Sequence, residues 1–227
     1  MEKTVLVAGA GPTLAESFDL IKRQQQAGQP LIAVGSALKP LFNADIIPDV
    51  VVVVDPGREE VLKLFSGFDL DPFTETPLVY FPSVHRDILE LWTGPLLTAY
   101  AEHPLYHDLS EKCPKQKLFS AGSVLHPAVD LAVCMGADEI VLLGADFGFP
   151  NGYSHVAGAA TSKRIDEKAH RHWVHDGTGG KIPTTPNMRD FLRDLEAYIE
   201  NKTQVRFLNA SRKGAFIKGT AFMEGAL

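Results

Sequence analysis

Cysteine is scarce in this 227-residue chain: Cys113 and Cys134 are the only two. Two cannot build a disulfide framework, and Cys134 falls in an apolar helical pattern, which points to a reducing compartment. Long hydrophobic runs are missing as well. No stretch approaches the ~18 uninterrupted apolar residues of a membrane span. The opening Met1 to Val7 lacks the apolar core and small-residue cleavage site of a secretory leader. A basic surplus is also absent: 22 Lys and Arg stand against 28 Asp and Glu, a formal charge of −6. That is the wrong sign for a general nucleic-acid binder. These absences predict a soluble cytoplasmic protein with no membrane and no nucleic-acid polymer as partner. What remains, 45% hydrophobic and 22% charged residues, is ordinary globular composition. The length suits one domain spanning 1–227.

The hydrophobic pattern predicts an α/β fold: a Rossmann-like, mostly parallel sheet flanked by helices. Thr4–Ala8, Leu31–Val34, the valine run Val50–Val54 and Glu139–Leu143 read as buried strands, with Leu78–Phe81 and Lys117–Phe119 as weaker ones. Leu14–Ala27, a short segment through Phe42, Val124–Met135 and Asn187–Ile199 read as helices, and Val205–Leu208 as a last strand. Two segments break the alternation. Leucines between residues 84 and 114 suggest a helical insertion beside the sheet. Residues 147–186 are polar and rich in Gly, His and Lys, a length of loop that usually marks a lid or active-site excursion.

In open parallel sheets, ligands bind beyond the carboxyl ends of the strands. Four such ends carry polar or glycine-rich turns: Gly9–Thr13, Gly35–Ala37, Asp55–Arg58 and Gly144–Asp146. The Gly9-Ala10-Gly11 turn lets a ligand approach the backbone, and helix-start amides after it favour an anion, while a tight strand–helix turn with no ligand accounts for the same pattern equally. It is not the dinucleotide fingerprint, because Leu14 occupies the position of the third small residue. The acidic residue expected about 20 positions on is also missing. No Gly-Lys-Ser/Thr follows, which excludes a Walker loop.

Taken together, these strand ends carry a family resemblance. The blocks are Gly9-Ala10-Gly11-Pro12-Thr13-Leu14, Gly35-Ser36-Ala37-Leu38-Lys39-Pro40, and Pro48-Asp49 through Asp55-Pro56. Further on come Ala121-Gly122-Ser123-Val124-x-His126, Leu143-Gly144-Ala145-Asp146 with Ser154-His155, and Phe207-Leu208-Asn209-Ala210-Ser211. In them the chain resembles the central domain of the motility-associated-factor glycosyltransferases of bacterial flagella, a family grouped with archaeal 6-hydroxymethylpterin diphosphokinase. It is also similar to bacterial sialyltransferases, with Thr13 where those have serine. The resemblance implies a domain that binds a CMP-activated nonulosonic acid and transfers it to Ser or Thr of a protein such as flagellin. The alternatives are ATP-dependent pyrophosphoryl transfer to a pterin alcohol and a non-catalytic nucleotide-binding module of flagellar assembly.

Nucleotide contacts are expected from Gly9, Gly11, Pro12, Thr13, Gly35, Ser36, Asp55, Gly122, Ser123 and Gly144. Thr13 and Ser123 can alternatively cap their helices. Asp55 and Asp146 end hydrophobic strands, where a carboxylate is costly unless bonded or solvated. Each can bind ribose, a base amino group or, with ATP, Mg²⁺, and each can equally serve a turn. No cofactor is required otherwise. Transfer of a sugar to a hydroxyl needs a base near neutral pH. His155 in the Ser-His block and His175, where the sialyltransferase resemblance places a base, are the candidates, with His172 as a neighbour and Asp146 completing the catalytic set. Tyr153 can assist phosphate departure, whereas His126, early in a helix, reads as a cap or cleft contact. Lys163, Arg164, Lys168 and Arg171 can form a positive lid. His170-x-His172-x-x-His175-Asp176 does not have zinc-site spacing.

Overall fold

The structure, a computed structural model, describes residues 3–166 and 171–223. Lys168 and His170 lie outside the described residues. In chain order the strands and helices are β1 (Thr4–Ala8), α1 (Phe18–Gln26), β2 (Leu31–Val34), α2 (Leu38–Asn43), β3 (Val50–Val53) and α3 (Arg58–Leu64). There follow β4 (Leu78–Tyr80), α4 (Arg86–Leu91), β5 (Leu96–Thr98), β6 (Tyr100–Ala101), α5 (His107–Lys112), β7 (Lys117–Leu118) and α6 (Leu125–Cys134). The chain continues through β8 (Glu139–Leu143), β9 (His172–His175), β10 (Lys181–Thr184), α7 (Pro186–Glu200), β11 (Arg206–Asn209) and β12 (Ala221–Phe222).

Eight strands form one sheet in the order β12-β11-β8-β1-β2-β3-β4-β5, and every adjacent pair is parallel. The expected α/β fold class is therefore the observed one. The chain winds outward from β1 through β5, then returns to place β8 on the other side of β1. The strand order thus reverses between β1 and β8, the position where open α/β sheets leave a crevice for ligand. Apolar runs without alternation are what two buried faces require. The valines of β3 show it: Val52 packs into the larger core, while Val51 and Val53 face a second cluster with Phe65, Phe73 and Trp92.

The 84–114 segment needs correction. Helices α4 and α5 form as expected, but β5 lies between them as the sheet's edge strand, paired with β4. Trp92, whose indole N–H donates to the Thr76 carbonyl at 3.0 Å, and Gly94-Pro95 end the helical stretch. The Pro95 carbonyl then accepts the Leu78 amide at 2.8 Å and starts the pairing. Short leucine runs fit a helix or a strand equally, so periodicity alone misassigned them.

The 147–186 excursion holds an antiparallel hairpin, β9–β10, which a loop reading misses. Asp176 builds its turn, since Oδ1 accepts the Thr178 and Gly180 amides, each at 2.8 Å. The hairpin is pinned on two sides. Phe149 N–H donates to the Pro183 carbonyl and the buried Thr184 hydroxyl to the Phe147 carbonyl, at 2.8 and 2.7 Å. On the other side the Phe216 amide donates to the His175 carbonyl at 2.8 Å. Both cysteines are free and exposed. No helix among the described residues is long and apolar enough to cross a membrane.

Candidate ligand cleft at the strand ends

A cleft of two joined chambers opens at the carboxyl ends of β1, β2, β3 and β8. The narrow chamber, about 180 Å³, is bounded by Gly9–Gly11, Gly144–Gly148 and Met188. The wide one, about 450 Å³, runs over Val52, Val53, Val61 and Leu64 to Asp55 and Glu60. Ser36, Ser123, Val124, His155 and Phe191 line both and form the waist between them. Thus seven of the sequence-selected residues after β1, β2, α6's leading turn and β8 converge here: Gly9, Gly11, Gly35, Ser36, Gly122, Ser123 and Gly144, with Asp55, Asp146 and His155 beside them.

The glycine loop after β1 serves the structural one of the two roles that its pattern allows. Two of its amides are spent internally: Gly9 N–H donates to the Leu143 carbonyl at 2.8 Å and Gly11 N–H to the Gly144 carbonyl at 2.9 Å. Thr13 N–H donates to Asp146 Oδ2 at 2.8 Å, and the Thr13 hydroxyl to Oδ1 at 2.5 Å. Pro12 has no N–H to offer. A Cβ on Gly9 would stand 2.7 Å from the Gly144 carbonyl oxygen, and one on Gly11 2.6 Å from the same atom and overlapping the Asp146 carboxylate. Gly11 has φ −64, so its glycine answers close approach and not a left-handed backbone. The expectation that Gly9, Gly11, Pro12 and Thr13 present an anion cradle is corrected: this turn locks β1 to β8. Gly11→Ala is expected to cost about 1–3 kcal/mol by overpacking, read as a lowered urea midpoint at unchanged slope.

Asp146 is the centre of that lock. It is 3% exposed, and its backbone carbonyl also accepts the Ala215 amide at 2.9 Å. A Cβ on Gly214 would overlap its carboxylate. Burial pushes the carboxyl up to about 6, against the opposing pull of the Thr13 donors. Each oxygen accepts one Thr13 donor, so Asp146 positions three segments, a structural duty that the catalytic and metal roles expected of it did not include.

Amides suited to an anion occur at the waist instead. Ser36 and Ala37 open a 3₁₀ turn and Ser123 and Val124 lead into α6, places where N–H groups lack intrahelical acceptors. The Ser123 oxygen accepts the Leu125 amide at 3.3 Å, which leaves its proton free to donate. Gly122 has φ +91, and a Cβ there would run into the Phe191 ring, so the turn needs glycine twice over. His126, fully buried, ties this turn to α7: Nδ1 accepts the Ala121 amide at 3.2 Å and Nε2 lies 2.9 Å from the Phe191 carbonyl. Those partners assign a neutral ring with its proton on Nε2, consistent with a cap and not a base.

His155 is the titratable waist residue. Its Nδ1 lies 3.1 Å from Ser154 Oγ, which accepts the Lys163 amide at 3.0 Å and directs its own proton at the Thr161 carbonyl at 3.4 Å. That network favours the imidazole proton on Nδ1, and the ring also hydrogen-bonds to the Thr161 backbone. Burial lowers its pKa below the ordinary value, so the ring is neutral at pH 7. His175, by contrast, sits exposed on β9 opposite Lys181 and lines neither chamber. The expectation of His175 as base is corrected, because the hairpin turns it outward. His172 and the exposed Tyr153 do not line the cleft either. Among the described lining residues there is no Lys or Arg; Lys163, Arg164 and Arg171 are exposed, and the charge of Lys163 acts on the His155 ring. Among the described residues no group of three or more His, Cys, Asp or Glu is placed to hold a metal.

Sequence reasoning missed Met188, Phe191, Glu60 and Thr161 as cleft residues. A signal existed for two of them. The apolar stripe of α7 runs through Leu192, Leu195, Tyr198 and Ile199, and Met188 and Phe191 extend it one turn beyond the core, over the cleft.

Fold and cleft together define a doubly wound Rossmann-like α/β protein with a ligand crevice at its topological switch point. The chain belongs to the MptE-like family: the profile described as 6-hydroxymethylpterin diphosphokinase MptE-like matches residues 1–152. Two proteins of Treponema pallidum (strain Nichols), both uncharacterized, are 30% and 27% identical over 140 and 180 residues, covering 57% and 74% of this chain. The structure of a MAf glycosyltransferase from Magnetospirillum magneticum AMB-1 superposes over 99% of the chain with a TM-score of 0.79 at 19% identity, a likeness of fold. The chain spans about a third of these proteins, 35%, 38% and 34% of their lengths.

Proposed function

We propose that this chain is a nucleotide-sugar transferase domain that moves a nonulosonic acid from CMP to a protein hydroxyl, flagellin being the acceptor that the resemblance implies. The observation that carries the reading is the waist: His155, whose pKa burial lowers, and two serine hydroxyls, Ser36 and Ser123, between a wide and a narrow chamber. In the step itself, the acceptor oxygen forms a bond to the sugar's anomeric carbon as the carbon–oxygen bond to CMP breaks. His155 takes the acceptor proton, and CMP leaves with the bonding electron pair. Donors from Ser36, Ser123 and the leading amides of α6 stabilise the departing phosphate.

The pyrophosphoryl-transfer reading has one observation in its favour. The Asp55 and Glu60 carboxylates make no hydrogen bond or ion pair among the described residues, and they are the groups that would hold Mg²⁺ in this cleft. Against it stands the lack of Lys or Arg among the described lining residues, since transfer from a triphosphate relies on cations around its terminal phosphates. Titration calorimetry with CMP, together with an AMP-release assay using ATP, Mg²⁺ and a pterin alcohol, separates the two. CMP binding without AMP release is expected; AMP release, or no binding of any cytidine nucleotide, would overturn the transferase reading.

A further inference from the structure

We propose that the outward face of the β9–β10 hairpin, widened by residues 215–216, is a docking surface for an acidic polypeptide segment. It holds whichever reaction the cleft performs. Charge segregation is the first sign. Residues 171–184 and 209–223, which build this ribbon, hold five basic residues (Arg171, Lys181, Arg212, Lys213 and Lys218) and a single acidic one, Asp176. The remainder of the chain carries 17 basic against 27 acidic residues, a charge of −10. Asp176 is spent in the hairpin turn, where its Oδ1 accepts the Thr178 and Gly180 amides. Lys213 is paired with Glu16 at 3.0 Å, so Lys181 and Arg212, both exposed, are the cations that matter to the face.

Strand pairing arranges that face as a row. Lys181 stands opposite His175 across the hairpin. The Asp176–Ala215 bridge, with the Phe216 amide donating to the His175 carbonyl at 2.8 Å, sets Phe216 on the other side of His175. Opposite residues of an antiparallel pair share a face, so Lys181, His175 and Phe216 line up, all three exposed. Phe216 then meets Phe222 with ring centroids 6.3 Å apart, and the Arg212 guanidinium lies 4.2 Å from the centre of the Phe222 ring. The row is therefore aromatic in the middle and cationic at both ends. Trp173, two residues before His175 and so on the same face, adds an indole 44% exposed, beside a Phe216 ring 45% exposed. Trp, Phe and Arg are the residue types enriched where proteins meet. The rings suit apolar side chains of the docked segment, and the terminal cations suit its carboxylates.

Two other anionic partners fit less well. A bilayer takes up apolar groups that reach below its headgroups, whereas the tip of this hairpin is Thr178-Gly179-Gly180 and its rings lie along the strands. A nucleic-acid strand would carry phosphates past the row onto a surface of opposing charge. Fluorescence anisotropy on the full chain tests the choice with three labelled probes: a peptide rich in Asp, Glu and Leu, its counterpart with Lys and Arg in place of the acids, and an oligothymidylate. The acidic peptide is expected to bind about tenfold tighter than either other probe, and to weaken markedly as salt is raised. Lys181→Glu combined with Arg212→Glu should weaken it about tenfold, and Trp173→Ala by a similar factor. Melting temperatures should change little, since these side chains are exposed. No binding of the acidic peptide, equal or tighter binding of either other probe, or full affinity in both variants would overturn the assignment. Failure of nucleotides to bind the cleft would leave it standing.

Discussion

Replacing Asp146 by Asn is expected to change the pH dependence of stability by about 3 kcal/mol, the energy equivalent of raising a carboxyl from 3.8 to about 6. The sign follows from proton counting. Between those values the native state holds the proton more tightly than the unfolded chain, so wild-type stability falls as pH rises from about 4 to about 6 and levels off above. Asparagine keeps the shape. Its Oδ1 can accept the Thr13 amide, and its Nδ2 can donate to the Thr13 hydroxyl. The variant should therefore match wild type at pH 4 and exceed it at pH 8, with urea unfolding at both pH values as the measurement. A wild-type-minus-variant difference that stays constant from pH 4 to 8 would show that Asp146 is not a buried ionised clamp. Asp146→Ala should behave oppositely. It strands two buried donors of Thr13, at about 1–3 kcal/mol each, and loosens the turn after β1 from the end of β8.

His155→Gln is expected to lower the transfer rate by about 10²–10⁴-fold, the usual contribution of a positioned base, while CMP affinity changes little. The split between rate and binding is what separates a base from a wall of the pocket. In wild type the rate should hold steady from pH 8 down to the ordinary histidine value and fall only below it. Burial depresses the His155 pKa, so protonation comes late. His175→Ala should leave the rate untouched, since that side chain faces solvent on the outer hairpin. Equal losses in both variants would move the base out of the cleft.

Legibility from sequence was uneven, and the reasons are physical. The strands β1, β2, β3 and β8 are readable because two-sided burial leaves unbroken apolar runs, and the ends of those runs locate the cleft. The edge strand β5 is not readable, because a three-residue pairing of leucines has no period of its own. Gly9 and Gly11 show a harder ambiguity. A loop that must admit a phosphate and a loop that must admit a neighbouring carbonyl both exclude Cβ, so the sequence pattern is the same for either. Only the partners of the amides, Leu143, Gly144 and Asp146, tell them apart. The same holds for Thr13, a helix-start hydroxyl by pattern whose bond goes to a carboxylate 133 residues away. Phe191 and Met188 went unnoticed because a cleft wall continues the stripe of a core helix without a break in period. Glu60 looks like an ordinary acidic residue in a first helical turn.

The central claim is that anion and base are held at the waist and the wide chamber, and that the glycine turn serves to lock the sheet. A crystal structure with CMP tests it most directly. The account expects the phosphate within hydrogen-bond distance of the Ser36 and Ser123 hydroxyls, with the nucleoside in the wide chamber. A phosphate seated on Gly9–Thr13, or a nucleotide outside both chambers, would contradict it.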